Sequence, residues 1–475
     1  AKFTADLGTN RMDFLSGGGG IWIDEINALA SGSVYLRTAG TVKEVTSDAS
    51  LDLLDGIDWS ANVDRSKSVD VTAGYFEAVS ANQATDVSSQ ANYKNQLQSV
   101  SKLEFSSYLM SDAIGRIKLG WDSTFSLSDL VYNASTGTYV LSGYYTANLT
   151  GLSLGAGKTL EIAGAYTSGS INLSADNLIA SGRLTATSVT LASGTSGTLS
   201  VAPGTQIQPL NNGNVSLTGG SGGLFMGDGS VITTTGTITL TTGMSGGNIT
   251  LGQVNAGAGT VTVNTTGRLL DGDTASVNGR ETPNIVASGT LNVTALGGMG
   301  SATDSVVIRA NTIESLNAGS NDAFVQLQRA TAGDVTLNNL DARSATLQVV
   351  DGGIVVGSGD WNLSQDLTLS ATGAITDTGR LNVAGRATLA VGTTNDITLN
   401  TATNDFGSVV ITSARDVTLV DADDMTLSGV ITRHLQATAG DTLTLGTTSV
   451  GGNLSLTLTG TTGSIQDSGA LSITG

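Results

Sequence analysis

The chain of 475 residues contains no cysteine, 3 prolines, 1 histidine and only 4% aromatic residues. Without cysteine it has neither disulfide bonds nor thiolate metal ligands. With one histidine, a His-rich metal site is impossible, and Ser-His-Asp catalysis would depend on His434. We interpret His434, in the strand-like stretch TRHLQATAG, as a solvent-facing strand position. No apolar run reaches the ~18 residues of a membrane-spanning helix, so this segment is not expected to span a membrane.

Charge is also scarce, since charged residues make up 13% of the chain and the formal net charge is −19. Nucleic-acid binding needs clustered Lys and Arg that displace phosphate counterions, and no basic stripe is present. Nucleic acid is therefore excluded as a partner. Because 39% of the residues are hydrophobic and charge is low, the chain does not have the composition of a disordered protein. It should fold.

Repetition is what the sequence has in abundance, together with 63 glycines. Residues 373–385 read GAITDTGRLNVAG and residues 463–475 read GSIQDSGALSITG, which are identical at six of thirteen positions. A shorter unit recurs from about residue 160, in which a polar residue precedes alternating apolar and hydroxyl residues. Period-two alternation with β-branched residues is typical of strands, and fixed repeats are typical of stacked units. Examples of the short unit are SINL at 170–173, NITL at 248–251, DITL at 396–399, DVTL at 416–419 and NLSL at 453–456.

The spacing of these units favours a right-handed parallel β-helix over other all-β folds. Units that start at 170 and 188 lie 18 positions apart, and those at 396 and 416 lie 20 apart. Several short strands in ~20 residues fit one coil of such a helix, whereas propeller repeats need ~40. About 16 coils are expected for residues 161–475. The alternation predicts that Thr398 points outward and that the following residues point inward: Leu369, Ile397, Leu399, Val417 and Leu419.

The first 160 residues differ from the rest in composition and in the spacing of apolar residues. Residues 75–114 contain neither glycine nor proline, and their apolar residues approach helical spacing. We therefore predict β-helix-like coils at 1–74, a partly helical or irregular insertion at 75–120 and an aromatic-rich transition at 121–160. The repetitive β-helix shaft is expected at 161–475. Residues 463–475 lack a polar cap, so we also expect a further coil, or a stacked copy, beyond residue 475.

Residues 371–430, ATGAITDTGRLNVAGRATLAVGTTNDITLNTATNDFGSVVITSARDVTLVDADDMTLSGV, resemble the repeats of filamentous-haemagglutinin-type adhesins of Gram-negative bacteria. The resemblance implies a β-helical shaft, two-partner secretion and attachment at the cell surface or within a biofilm. The family's secretion domain carries Asn-Pro-rich signatures, and no Asn-Pro dipeptide occurs here. An internal or distal portion of a longer adhesin is therefore expected.

Two groups of residues are candidates for binding. Aromatic side chains stack on sugar rings, so one window predicts a carbohydrate contact, although the same residues could cover the join between insertion and shaft. The densest carboxylates could bind Ca²⁺ or could simply form a turn through side-chain to backbone hydrogen bonds. The aromatic candidates are Trp121, Tyr132, Tyr139, Tyr144 and Tyr145, and the acidic candidates are Asp421, Asp423 and Asp424.

These observations lead us to expect a non-enzymatic, extracellular adhesin shaft that needs no cofactor. Its partner is expected to be a surface glycan or extracellular polysaccharide, or another copy stacked end to end. One alternative is a β-helical polysaccharide-binding or polysaccharide-cleaving protein, since such enzymes group acids on one face of this fold. The other alternative is a self-assembling matrix or sheath fibre.

Overall fold

The computed structural model describes residues 130–474, apart from 146, 147, 155, 156, 168, 244, 245, 274, 275, 278 and 279. The chain divides into two compact units, Ala1–Leu217 and Thr218–Gly475. Of the first 129 residues the structure describes the backbone of nine strands. These strands are β1 (Lys2–Thr4), β2 (Arg11–Ser16), β3 (Ile21–Ile23), β4 (Glu25–Thr38), β5 (Val42–Glu44), β6 (Val69–Asp70), β7 (Thr72–Ser80), β8 (Phe105–Ser106) and β9 (Arg116–Gly120).

The rest of the first unit is a parallel β-solenoid. Most strands pair in parallel with a counterpart one turn later along the chain. Ile171 of β14 pairs with Val189 of β17, and Leu178 of β15 pairs with Leu199 of β18. A single turn of 3-10 helix lies at Leu210–Asn212. The strands are β10 (Val131–Asn133), β11 (Thr138–Tyr145), β12 (Leu149–Ser153), β13 (Thr159–Thr167), β14 (Ile171–Ala175), β15 (Asn177–Ala180), β16 (Arg183–Thr185), β17 (Val189–Ser193), β18 (Thr198–Val201) and β19 (Gln206–Ile207).

The second unit is also a parallel β-solenoid, described by the strands from β20, which spans the boundary at residue 217, to β50. Its strands are β20 (Val215–Gly219), β21 (Gly223–Met226), β22 (Val231–Thr233), β23 (Ile238–Thr242), β24 (Ile249–Leu251), β25 (Gln253–Gly257), β26 (Val261–Thr265), β27 (Leu269–Asp271), β28 (Ser276–Val277), β29 (Arg280–Glu281), β30 (Ile285–Ala287), β31 (Leu291–Ala295), β32 (Val306–Ala310), β33 (Thr312–Asn317), β34 (Ala323–Gln328), β35 (Val335–Ala342), β36 (Ala345–Val349), β37 (Ile354–Val356), β38 (Asp360–Leu363), β39 (Leu367–Ala371), β40 (Ile375–Asp377), β41 (Arg380–Ala390), β42 (Ile397–Leu399), β43 (Asp405–Ala414), β44 (Val417–Val420), β45 (Met425–Ile431), β46 (Leu435–Ala439), β47 (Leu443–Val450), β48 (Leu454–Leu458), β49 (Ile465–Asp467) and β50 (Leu471–Ile473).

Columns of equivalent apolar residues show how the turns of the second unit stack. One column runs through Ile375, Ile397, Val417, Leu435 and Leu454, each paired with the next across parallel strands. Parallel pairing aligns like residues because successive turns repeat the same alternation of apolar and polar positions. The sequence-based prediction of an all-β, parallel β-helical fold is confirmed.

Turn length varies along the chain. Val261 pairs with Leu291, whereas Val417 pairs with Leu435. The turn that follows Val261 is therefore much longer than the ~20 residues expected for one coil. The two units together contain about 14 turns, fewer than the sequence spacing predicted, because several turns carry such additional residues.

The core is an apolar column inside each solenoid. All five residues predicted to point inward are buried, with Ile397 and Leu399 fully enclosed, while Thr398 between them is partly exposed. Trp361 is also fully buried, and its Nε1 donates a hydrogen bond of 3.0 Å to the Leu337 carbonyl. The register inferred from the alternation is therefore confirmed at these positions.

The predicted insertion at 75–120 falls mostly outside the described residues. Within that range the structure describes the end of β7 and the strands β8 and β9. Upstream, β4 pairs in parallel with β1, β2 and β7. No α-helix occurs among the residues that the structure describes. The insertion itself stays a prediction.

Candidate functional site

The first candidate site is an antiparallel hairpin made by β10 and β11, here called the aromatic hairpin (residues 131–140). Asn133 ends β10, and its Oδ1 accepts hydrogen bonds from the backbone N–H and the hydroxyl of Ser135. Gly137 closes the turn with a φ of 70°, a left-handed conformation that glycine adopts without strain. Its N–H donates to the Asn133 carbonyl at 2.9 Å. The local sequence therefore specifies the turn that aligns the two strands.

The aromatic hairpin brings two of the predicted aromatic residues together. Tyr132 and Tyr139 are directly paired across the strands, and their ring centroids lie 5.0 Å apart at an interplanar angle of 48°. Lys158 Nζ lies 5.4 Å from the centroid of the Tyr139 ring, within cation–π range. Tyr132 is 56% exposed. An exposed ring supported by a second ring and a cation can stack on the apolar face of a sugar.

For two of the other three predicted aromatic residues the structure describes only the backbone. Tyr144 and Tyr145 belong to β11, where their backbones pair with Leu119 and Gly120 of β9. Trp121 lies outside the described residues. The described part of the predicted group is therefore the Tyr132–Tyr139 pair, and the strand alternation could not have shown that the two rings are in contact.

Two of the three acidic candidates interact, since Asp423 is among the groups that raise the pKa of Asp421. Asp421 is 2% exposed, and its carboxylate accepts the backbone N–H groups of Phe406 and Asp423, both at 2.9 Å. Asp423 and Asp424 are exposed, and Asp424 Oδ1 accepts the N–H of Thr442 at 2.7 Å. In the described part of the chain, no three His, Cys, Asp or Glu side chains are grouped so as to hold a metal ion. Asp421 and Asp424 therefore accept backbone N–H groups at a corner of the solenoid, and the Ca²⁺ role stays a prediction.

Burial changes the acidity of two carboxyl groups at such corners. Loss of solvation raises the pKa of Asp421 to about 7, against the effect of its two backbone hydrogen bonds. Burial likewise raises the pKa of Asp271 to about 6, although the Asp273 N–H and the Asn284 amide donate to it. In both cases the sequence is Asp-x-Asp, and the carboxylate of the first aspartate accepts the backbone N–H of the second aspartate. These two residues are the strongly perturbed acids of the described chain.

The sequence did not reveal the roles of four residues that immediately precede stacked strands at one corner of the solenoid. Asp396, Asp416, His434 and Asn453 precede β42, β44, β46 and β48, and we call this set the corner ladder. Each of the first three side chains accepts the backbone N–H of the next member, over 3.2, 3.0 and 2.9 Å. The signal was present, since a polar residue precedes each short repeat unit. The partner, 18 to 20 positions away, was not visible in the sequence.

Two Arg–Asp pairs also join successive turns. Arg343 binds Asp322 through two hydrogen bonds, and Arg415 binds Asp396 in the same way, at 2.8 and 2.7 Å. The bonded guanidinium lowers the pKa of Asp322 and of Asp396 below the ordinary value. These side chains are partly exposed, so each pair is a modest link between turns.

Comparison with known proteins gives one family match. A family described as repeats of unknown function (DUF5649) matches residues 332–413 and 432–475. No curated protein matches the chain, and no solved structure matches it. None of the described helical segments is long and apolar enough to cross a membrane. The chain is therefore a β-helical repeat protein, and the match covers part of the second unit.

Proposed function

We propose that this chain is a non-enzymatic shaft segment of an extracellular bacterial adhesin, of the filamentous-haemagglutinin type, exported by two-partner secretion. The observation that carries the proposal is the stack of parallel turns, each of which buries its apolar face against its neighbours. Such a stack gives length and a repetitive polar surface rather than a single catalytic cavity. The proposed role requires no cofactor.

The partner proposed for this shaft is a neutral surface glycan or extracellular polysaccharide, bound at the aromatic hairpin. Three features of the hairpin support it: the exposed Tyr132 ring, its contact with Tyr139, and the ammonium group of Lys158 over the second ring. Aromatic rings bind sugars through their faces.

The experiment measures retention of the full chain on immobilised bacterial and host polysaccharides. Tyr132→Ala should weaken binding about tenfold, because a stacking ring contributes on the order of 1 kcal/mol beyond its buried area. Tyr132→Phe should bind like the original chain. Phe225→Ala removes a ring that is also partly exposed, 39%, but lies in the second unit, and it should leave binding unchanged.

Three results would contradict the proposal. Equal binding by the Tyr132→Ala and Phe225→Ala variants would exclude the aromatic hairpin as the glycan contact. Release of reducing ends from a bound polysaccharide would favour the polysaccharide-cleaving alternative. Antibodies against the chain should label intact cells of the native source, and labelling restricted to lysed cells would oppose the extracellular location.

A further inference from the structure

His434 differs from the other members of the corner ladder in its chemistry. Asp396 and Asp416 accept the next backbone N–H through carboxylate oxygens. His434 instead offers Nδ1, which accepts the backbone N–H of Asn453 at 2.9 Å. An imidazole nitrogen accepts a hydrogen bond only when it carries no proton, so this contact requires an unprotonated Nδ1.

The backbone of the next turn fits closely against this ring. A Cβ atom at Gly452 would lie 2.8 Å from His434 Nδ1 and 3.0 Å from its Cε1. Glycine therefore permits the approach that brings the Asn453 N–H into bonding distance. The same junction is completed by the Leu435 N–H, which donates to the Asn453 carbonyl at 2.9 Å. Asn453 is thus joined to His434 and Leu435 through two hydrogen bonds, of which one depends on the imidazole.

His434 lies among charged side chains that are paired with one another. Its backbone N–H binds Asp416, but that carboxylate already lies 3.6 Å from Arg415 and 3.5 Å from Arg433. Asp396 is bound by Arg415 as well. The positive charges of the two arginines balance the negative charges of the two aspartates. Residues 451–458 of the following turn, GGNLSLTL, contain no ionisable side chain. An imidazolium here would add a positive charge beside Arg433.

We propose that His434 makes the junction between β46 and β48 sensitive to acid. Protonation places an N–H on Nδ1 that points at the N–H of Asn453, so one hydrogen bond becomes a contact between two donors. The turn that begins at Asn453 then loses one of its two hydrogen bonds at this corner, while the earlier junctions held by Asp396 and Asp416 keep theirs. Imidazole side chains change charge between pH 8 and 5, the range of mildly acidic environments.

Amide hydrogen exchange measured at pH 7.5 and pH 5.0 on the full chain tests this proposal. After correction for intrinsic exchange, the protection of residues 453–458 should fall about three- to tenfold at pH 5.0, the range expected for one hydrogen bond. Strand β39 serves as the internal reference and should keep its protection. Because the chain has 1 histidine, its imidazole resonance can be followed in the same pH range and should change together with the exchange.

The matched variant is His434→Asn. Its side-chain oxygen can accept the Asn453 N–H, as the oxygens of Asp396 and Asp416 do for their partners, and it has no titratable proton. It should keep the protection of residues 453–458 at both pH values. A variant that loses protection at pH 5.0 as much as the original chain overturns the proposal. So does an original chain whose protection in this segment is the same at both pH values.

Discussion

A single pair of neighbouring substitutions tests the inward and outward assignment of the shaft. Ile397 is fully buried in the core of the second unit, and Thr398, the next residue of β42, is partly exposed. Replacing each by aspartate adds the same group at positions one residue apart. The alternation requires opposite outcomes, because successive side chains of a strand point to opposite faces.

The magnitude follows from the environment of Ile397. An aspartate there must be protonated, and holding a carboxyl of ordinary pKa neutral at pH 7 costs about 4 kcal/mol at 1.36 kcal/mol per pH unit. Loss of the buried isoleucine side chain adds about 2 kcal/mol. The sum is comparable to the stability of a whole small domain, about 5–15 kcal/mol. Ile397→Asp should therefore disrupt its own turn and loosen the neighbouring ones.

At Thr398 the carboxylate stays in solvent, and the cost should be within about 0.5 kcal/mol. Thermal unfolding followed by circular dichroism, combined with amide exchange of β40, β42 and β44, measures both variants. The reasoning is refuted if the two substitutions lower the melting temperature equally, or if Thr398→Asp is the more damaging of the two.

Two further predictions concern the core and a buried acid. Trp361→Ala removes the largest fully buried side chain of the described residues and should lower the free energy of unfolding by about 3–5 kcal/mol. Phe225→Ala, at a partly exposed site, should lower it by less than about 1 kcal/mol, and denaturant unfolding measures both. Because the pKa of Asp421 is raised to about 7, its carboxyl stabilises the fold fully below pH 3.8 and loses that contribution as the pH rises towards 7. The stability of the original chain relative to Asp421→Asn should therefore fall from pH 4 to pH 7, and a rise over this range would contradict the assignment.

The amino-acid sequence by itself determined the fold class and the core. Alternation of apolar and hydroxyl residues is a local property, since each strand residue faces the core or the solvent according to its position in a period of two. Ile397 and Leu399 could therefore be assigned to the interior, and Thr398 to the surface, from the pattern alone. The absence of cysteine likewise excluded disulfide bonds without any knowledge of the structure.

Only the tertiary structure decided how corner residues are used. Asp421 and Asp423 are equivalent in the sequence pattern, yet one is buried and the other is exposed, because the path of the turn brings Phe406 against the first. The partner of His434 lies 19 positions away, and turn lengths vary, so sequence spacing cannot identify it. Contacts between turns depend on how many residues each corner holds, which the strand alternation does not encode. For that physical reason the core could be predicted, and the perturbed acids and the corner ladder could not.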